Sequence, residues 1–379
     1  MVGLALPIAL LTSPYVIFRT LLNRKTTLYE LRIQGEFGWL VDLLERVRNQ
    51  HTENHTKCIV FVRASIQHRG LAHLYRKQAG CRILWSSGWT VFLAQVVLLQ
   101  PLFTQIRKVL STDVVSEFDM SEDVILPTRR LVKCRNFLLD AHGIGKRKYV
   151  TMAVFTSSFA EVQDADYQSK YQPRETTGTD LAEGVDFLRS RDIEVVMLGF
   201  GDFGKAHVPR EMLRLSDFGR IGGDQEVALV SGCEYFWSDF VGAQWLREPF
   251  KKPVLVTNHD EAWVQKRWNF PSSVLNRYMI VPLRFQTPSG HILSLREAMA
   301  HGPCFQLVAD GELIAIRNSP TDIVEAHKEM IDRINGRWKE SARATKLHQR
   351  VAEIYSVFPE YYVPRFPSSF LERHLSLLD

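Results

Sequence analysis

Ile193-Glu194-Val195-Val196-Met197-Leu198-Gly199-Phe200-Gly201-Asp202 opens the stretch on which the reading of the chain turns. It is a short apolar run ending in glycines, the pattern of a buried parallel strand that opens into a loop. A helical stretch at 224–231 follows, then Cys233-Glu234-Tyr235-Phe236-Trp237 with the loop Ser238-Asp239-Phe240-Val241-Gly242-Ala243. Last comes Lys252-Pro253-Val254-Leu255-Val256-Thr257-Asn258. Strands alternate with helical segments, and each strand's carboxyl end carries Gly, Ser, Thr, Asp or Asn. In an open α/β sheet those ends line the ligand crevice, where backbone N–H groups and helix N-termini hold phosphate. The expectation is a nucleotide or sugar-phosphate site. Ordinary strand-to-helix turns favour the same residues, and no complete G-x-G-x-x-G is present.

Outward from this stretch, the 379 residues exceed what one hydrophobic core serves, so two domains are expected. A net charge of +5 suits anionic ligands or an anionic membrane surface and is too weak to argue for nucleic acid. Cys58, Cys81, Cys134, Cys233 and Cys304 are scattered, with no C-x-x-C spacing, which fits a reducing compartment and gives no zinc site.

In chain order, residues 1–25 are largely apolar. Pro7, Pro14 and Arg19 count against a membrane-spanning helix. Two readings stay open: a membrane-surface anchor, with Arg19, Arg24 and Lys25 among headgroups, or a helix packed on the protein's own core. Residues 26–120 read as a first Rossmann-like domain. It has strands at 28–33, 58–62 and 82–85, helices at 39–49 and 66–78, and one or two buried helices at 89–110. Its first strand runs into the loop Gly35-Glu36-Phe37-Gly38. Residues 121–148 are charged and irregular and are expected to connect the domains; their basic clusters at 129–130 and 146–148 read as solvated surface. A second such domain is expected over 149–340. It has a strand at 149–155, a polar loop carrying Arg174, a helix at 179–190, the opening stretch, and a strand at 278–283. A short helix starting at a Ser294 cap follows, and then one that begins at Ser319-Pro320-Thr321-Asp322 and is closed by Gly336. A last helix and tail fill 341–379.

Particular residues carry a resemblance. Arg32-Ile33-Gln34-Gly35-Glu36-Phe37-Gly38-Trp39-Leu40, Val195-Val196-Met197-Leu198-Gly199, the turn at 238–242 and Val254-Leu255-Val256-Thr257-Asn258 carry it in order. So do Ile316-Arg317-Asn318-Ser319-Pro320-Thr321-Asp322-Ile323 and Ser368-Ser369-Phe370-Leu371. The chain resembles a family of bacterial glycosyltransferases related to fucosyltransferase-like GT-B enzymes of surface-polysaccharide synthesis. The resemblance implies an α/β, GT-B-like fold of two Rossmann-like domains facing a central cleft. It implies transfer of a sugar from a nucleotide-sugar donor to a glycan or lipid-linked acceptor. The location expected is the cytoplasm, at the inner face of the cytoplasmic membrane if residues 1–25 anchor there, and no cofactor is expected. Where similar enzymes carry His-x-Arg, this chain reads Ala153-Val154-Phe155-Thr156, and Trp39 replaces a histidine.

The donor residues expected are Gly199, Gly201, Phe203, Ser238, Asp239, Gly242, Thr257 and Asn258, with Arg174 replacing the missing diphosphate arginine. Glu36 is the candidate base, on the acceptor-side loop with Gly35, Phe37 and Gly38. The sequence has no Asp-x-Asp, so metal-free departure of the diphosphate is expected. Two alternatives remain. One is a catalytically silent protein that binds a sugar nucleotide or a partner. The other is a different Rossmann enzyme such as a methyltransferase or epimerase, for which Gly199 and Gly201 follow the wrong strand.

Overall fold

The chain is described from a computed structural model. It covers residues 26–32, 41, 44–46, 48, 57–63, 71, 74–75, 81–85, 105–110, 123–154, 176–198, 212–215, 223–239, 242–259, 277–302, 304–358 and 362–379. The membrane expectation for 1–25 lies outside these residues.

Four strands, β1 (Thr26–Arg32), β2 (Lys57–Arg63), β3 (Cys81–Trp85) and β4 (Gln105–Leu110), form a first sheet in the order β3-β2-β1-β4. All three pairings are parallel. Parallel neighbours need crossover connections, and residues 41, 44–46, 48, 71, 74 and 75 between the strands are helical. β4 corrects the reading of 89–110 as helix throughout. A short apolar run fits a buried strand as well as a helix, and here pairing with β1 decides.

The second sheet holds β5 (Lys148–Ala153), β6 (Ile193–Met197), β7 (Leu213–Arg214), β8 (Phe236–Ser238), β9 (Val254–His259) and β10 (Tyr278–Pro282). Its order is β10-β9-β8-β5-β6-β7, all parallel. Counted from its own first strand this is 3-2-1-4-5-6, the doubly wound dinucleotide-binding order, and the first sheet repeats its 3-2-1-4 portion. Both units are Rossmann-like. A two-stranded antiparallel ribbon, β11 (Arg284–Gln286) with β12 (Ile314–Ile316), stands apart.

Around the second sheet lie α1 (Arg129–Ala141), α2 (Gly178–Ser190), α3 (Gly223–Gly232), α4 (Leu295–His301), α5 (Cys304–Ala309), α6 (Pro320–Ile334), α7 (Ala342–Ser356) and α8 (Ser368–Arg373). Strands β6, β8, β9 and β10 are buried along their whole length, as a sheet covered on both faces requires. On one face α2 closes on the sheet through Gly184, where a Cβ would stand 2.8 Å from the Trp237 ring and 3.2 Å from His327 Nε2.

One further expectation is corrected. The stretch 121–148 is not irregular: Thr128 caps α1, and Leu131, Leu138 and Leu139 join the core. Three leucines spaced across many charges left too faint a period to read. The last long helix expected near 341–356 is α7, and in the segment after it Tyr362, Phe366, Phe370 and Leu371 are buried in the same core as β10. Ile280 N–H donates to the Arg365 carbonyl at 2.9 Å.

The first unit meets the second through a buried ion cluster. Glu45 accepts from Tyr75 Oη (2.6 Å), Arg48 Nη2 (2.7 Å) and Lys251 Nζ (2.7 Å), and Arg48 Nη2 also reaches the Asp123 carbonyl at 2.6 Å. Burial pushes the Glu45 carboxyl up, but Lys251 and Arg48 outweigh it and hold it below its ordinary value. Among the described residues no helix is long and apolar enough to cross a membrane.

Candidate functional site at the carboxyl edge of the second sheet

Register fixes which residues share the sheet edge. Met152 is level with Met197 on one side and Trp237 on the other, and Trp237 with Leu255. The next row therefore holds Ala153, Ser238 and Val256, and Asp239 and Thr257 follow beyond it. The strand order reverses between β5 and β8, and the crevice outside such a reversal is where open α/β sheets bind ligands. Ser238 and Asp239 stand on one side of this switch point. In the first sheet the reversal lies between β1 and β4.

Four of the expected donor residues are in the described part of this edge and are buried: Ser238, Asp239, Thr257 and Asn258. Gly242, half-buried, starts the 3₁₀ segment Gly242–Phe250 that follows the turn. Arg174, Gly199, Gly201 and Phe203 lie outside the described residues, as do Gly35, Glu36, Phe37 and Gly38.

A hydrogen-bonded frame joins the strand ends to two helix starts. Asp239 Oδ2 accepts from Thr176 Oγ1 at 2.8 Å, which ties the end of β8 to the approach to α2, one residue before its N-cap. There Thr177 and Asp180 form a capping box, so the Asp180 carboxylate accepts from both the N–H and the hydroxyl of Thr177. Arg317 Nη1 donates to the same Asp180 Oδ2 at 2.6 Å. Its neighbour Asn318 exchanges reciprocal bonds with Asn258: each side-chain oxygen accepts the other's backbone N–H, at 2.6 and 2.8 Å. Asn318 Nδ2 also donates to the Pro282 carbonyl at 2.6 Å. These bonds hold Asn258 at φ +52, a left-handed conformation that asparagine tolerates better than most residues. Thr257 has a partner inside the core, since its Oγ1 accepts the Trp237 indole N–H at 2.9 Å.

The second helix start, α6, has the capping box read from sequence, Ser319 with Asp322. Asp322 also accepts from Arg373 Nη2 (2.8 Å) and from His374 Nε2 (3.1 Å) on the C-terminal segment. Burial pushes its carboxyl up, but the bonds from His374, Ser319 and Arg373 hold it far below the usual carboxylate range. At both helix starts a carboxylate of the chain's own already engages first-turn groups. Among the described residues the frame from β8 to the start of α6 contains Asp239, Asp180 and Asp322 beside the guanidiniums of Arg317 and Arg373.

Thr176 and Asp180 are not among the residues expected at this edge, and Arg317 and Asn318 enter the sequence reading only within the stretch 316–323. Thr177-x-x-Asp180 was the signal available, since it has the spacing of a capping box. Among the described residues no group of three or more His, Cys, Asp or Glu side chains is placed to hold a metal ion.

No protein-family model matches the chain, and no curated protein sequence does. Among solved structures, a glycosyl transferase of family 9 from Veillonella parvula aligns at 8% identity over 82% of this chain and 98% of its own, with a TM-score of 0.50. The E. coli ADP-heptose lipopolysaccharide heptosyltransferase II aligns at 11% identity over 75% and 97%, with a TM-score of 0.40. The dodecameric iron-containing heptosyltransferase TibC from E. coli, in complex with ADP-D-beta-D-heptose, aligns at 11% identity over 63% of this chain, with a TM-score of 0.35. This chain spans 59% of the length of TibC. At these identities the likeness is one of fold, and the Veillonella structure carries it: the architecture is the GT-B-like arrangement expected from sequence. None of the three is of the fucosyltransferase-like type.

Proposed function

We propose that the chain is a glycosyltransferase that moves a sugar from a nucleotide-sugar donor to a glycan or lipid-linked acceptor in the synthesis of surface polysaccharide. The observation that carries this reading is the 3-2-1-4-5-6 order of the second sheet, with Ser238 and Asp239 at its switch point. The fold it shares with the family 9 glycosyltransferase supports the same reading. In this account the donor lies over the carboxyl ends of β5, β8 and β9. Asp239, aligned by Thr176, accepts hydrogen bonds from sugar hydroxyls. Gly199, Gly201 and Gly242 let the backbone approach the nucleotide, Arg174 and Arg317 face the diphosphate, and Glu36 is the base at the acceptor loop. The diphosphate leaves without a metal. The finer assignment to the fucosyltransferase-like type rests on the sequence resemblance alone.

One observation favours a second reading, a protein of this fold that binds a sugar nucleotide without turning it over. Among its described residues the frame holds three carboxylates, Asp239, Asp180 and Asp322, beside two guanidiniums, Arg317 and Arg373, and a leaving diphosphate favours the opposite balance.

Thermal unfolding of the full chain against a panel of nucleoside diphosphates and nucleotide sugars, with and without EDTA, tests the proposal. A nucleotide sugar is expected to raise Tm, because a ligand bound only by the folded state stabilises it, and EDTA should leave the shift intact. A shift abolished by EDTA and restored by magnesium or manganese would sink the metal-free part. Binding followed by no sugar transfer to any acceptor would favour the second reading.

A further inference from the structure

We propose that the outer face of α1, with the turn that follows it, is a docking surface for an anionic membrane. Residues 129–148 hold seven cations against a single carboxylate, Asp140, while the whole chain has a net charge of only +5. This span therefore accounts for the protein's positive charge. On α1 the leucines at 131, 138 and 139 turn inward, and Arg129, Arg130, Lys133, Asn136 and Phe137 face outward. Helical spacing places Lys133 one turn from Phe137, and Arg129 two turns away.

Three of the cations are matched by carboxylates: Arg130 by Asp224, Arg147 by Glu194, and Lys148 by Glu234 at 3.3 Å. Among the described residues Arg129, Lys133 and Lys146 form no ion pair. Arg129 and Arg130 also stand in the first turn of α1, where the helix dipole favours anions and no acidic side chain is present. Local helix stability does not account for them, whereas a phosphate-bearing partner does.

The apolar side chains specify the kind of partner. Phe137 is 72% exposed and Leu126, just before the Thr128 cap, 68%; they are the two most exposed large apolar residues among those described. Val124 is exposed beside Leu126. Isolated apolar tips set among cations suit the boundary of an anionic bilayer, where rings and leucines enter the acyl region and arginines and lysines meet headgroups. A nucleic acid would use the cations and leave Phe137 and Leu126 in water. The proposal depends neither on glycosyl transfer nor on residues 1–25.

The test is co-sedimentation of the full chain with vesicles of phosphatidylcholine alone and of phosphatidylcholine mixed with phosphatidylglycerol. Binding is expected to the mixed vesicles only, and to weaken as salt is raised. The double variant Arg129→Glu/Lys133→Glu should lower the partition coefficient at least about tenfold, since each basic residue near such a surface is worth about fivefold. Phe137→Ser should lower it several-fold, with the thermal unfolding of both variants unchanged. Equal binding to both vesicles, binding by the variants equal to the unmodified chain, or retention on RNA with none on vesicles would overturn the proposal.

Discussion

Burial holds His327 neutral: with no counter-charge in contact, its pKa falls to about 3 from an ordinary value near 6.5. Its Nδ1 meets Tyr235 Oη at 2.6 Å, and its ring stands edge-on to Trp237 with centroids 4.3 Å apart, beneath the strand that carries Ser238 and Asp239. The unfolded chain takes up a proton on this residue near pH 6.5 and the folded chain only near pH 3. Between these values the unfolded state binds more protons, so stability falls with decreasing pH by about 1.4 kcal/mol per unit. His327→Gln keeps an acceptor for Tyr235 and does not titrate. In urea unfolding between about pH 4 and 5.5, its stability should depend on pH by close to one proton less than that of the unmodified chain. Parallel pH profiles would contradict the assignment. Residue pairs of this kind were the least legible part of the sequence. Thr176 meets Asp239 across 63 positions and Asn258 meets Asn318 across 60, and no local period reports such partners. Thr257 was read as a ligand contact from its place at a strand end, and only the structure shows its hydroxyl engaged by Trp237.

Among elements, α6 is joined to the C-terminal segment by charge as well as by packing. Asp322 in the first turn of α6 accepts from Arg373 and His374, and Glu329 one face along accepts the Ser368 N–H at 2.8 Å. Arg373→Ala removes two charge-assisted bonds from a buried carboxylate and leaves those from Ser319 and His374 in place. Because Arg373 is itself partly exposed, the expected cost is about 1–2 kcal/mol, read as a lower urea midpoint with an unchanged slope. An unchanged midpoint would mean that the segment is held by Phe366, Phe370 and Leu371 alone. Elements with local signals were legible: Ser294 and Ser319 each precede an acidic residue by three positions and each caps a helix. Elements whose identity depends on a distant partner were not. β4 is a strand because β1 lies beside it, and α1 is a helix whose apolar face of three leucines is outnumbered by charge.

For the whole molecule, the alternation of strand and helix was legible, but the order of the strands was not, because a parallel strand can insert on either side of its predecessor. That order decides where a ligand can lie. The 3-2-1-4-5-6 arrangement places Asp239 beside the point where the strand order reverses, and Ala153 and Ser238, 85 positions apart in sequence, then share an edge. The charge balance at that edge separates the two functional readings, since Asp239 repels a diphosphate and suits sugar hydroxyls. Calorimetric titration of the full chain and of Asp239→Ala, each with a nucleotide sugar and with the matching free nucleoside diphosphate, tests this most directly. The account predicts that the substitution weakens nucleotide-sugar binding by about 1–3 kcal/mol, the usual cost of losing charge-assisted hydrogen bonds, while the free diphosphate binds as well or better. Affinities for both ligands that are unaffected by Asp239→Ala, or that fall equally with folding intact, would contradict it.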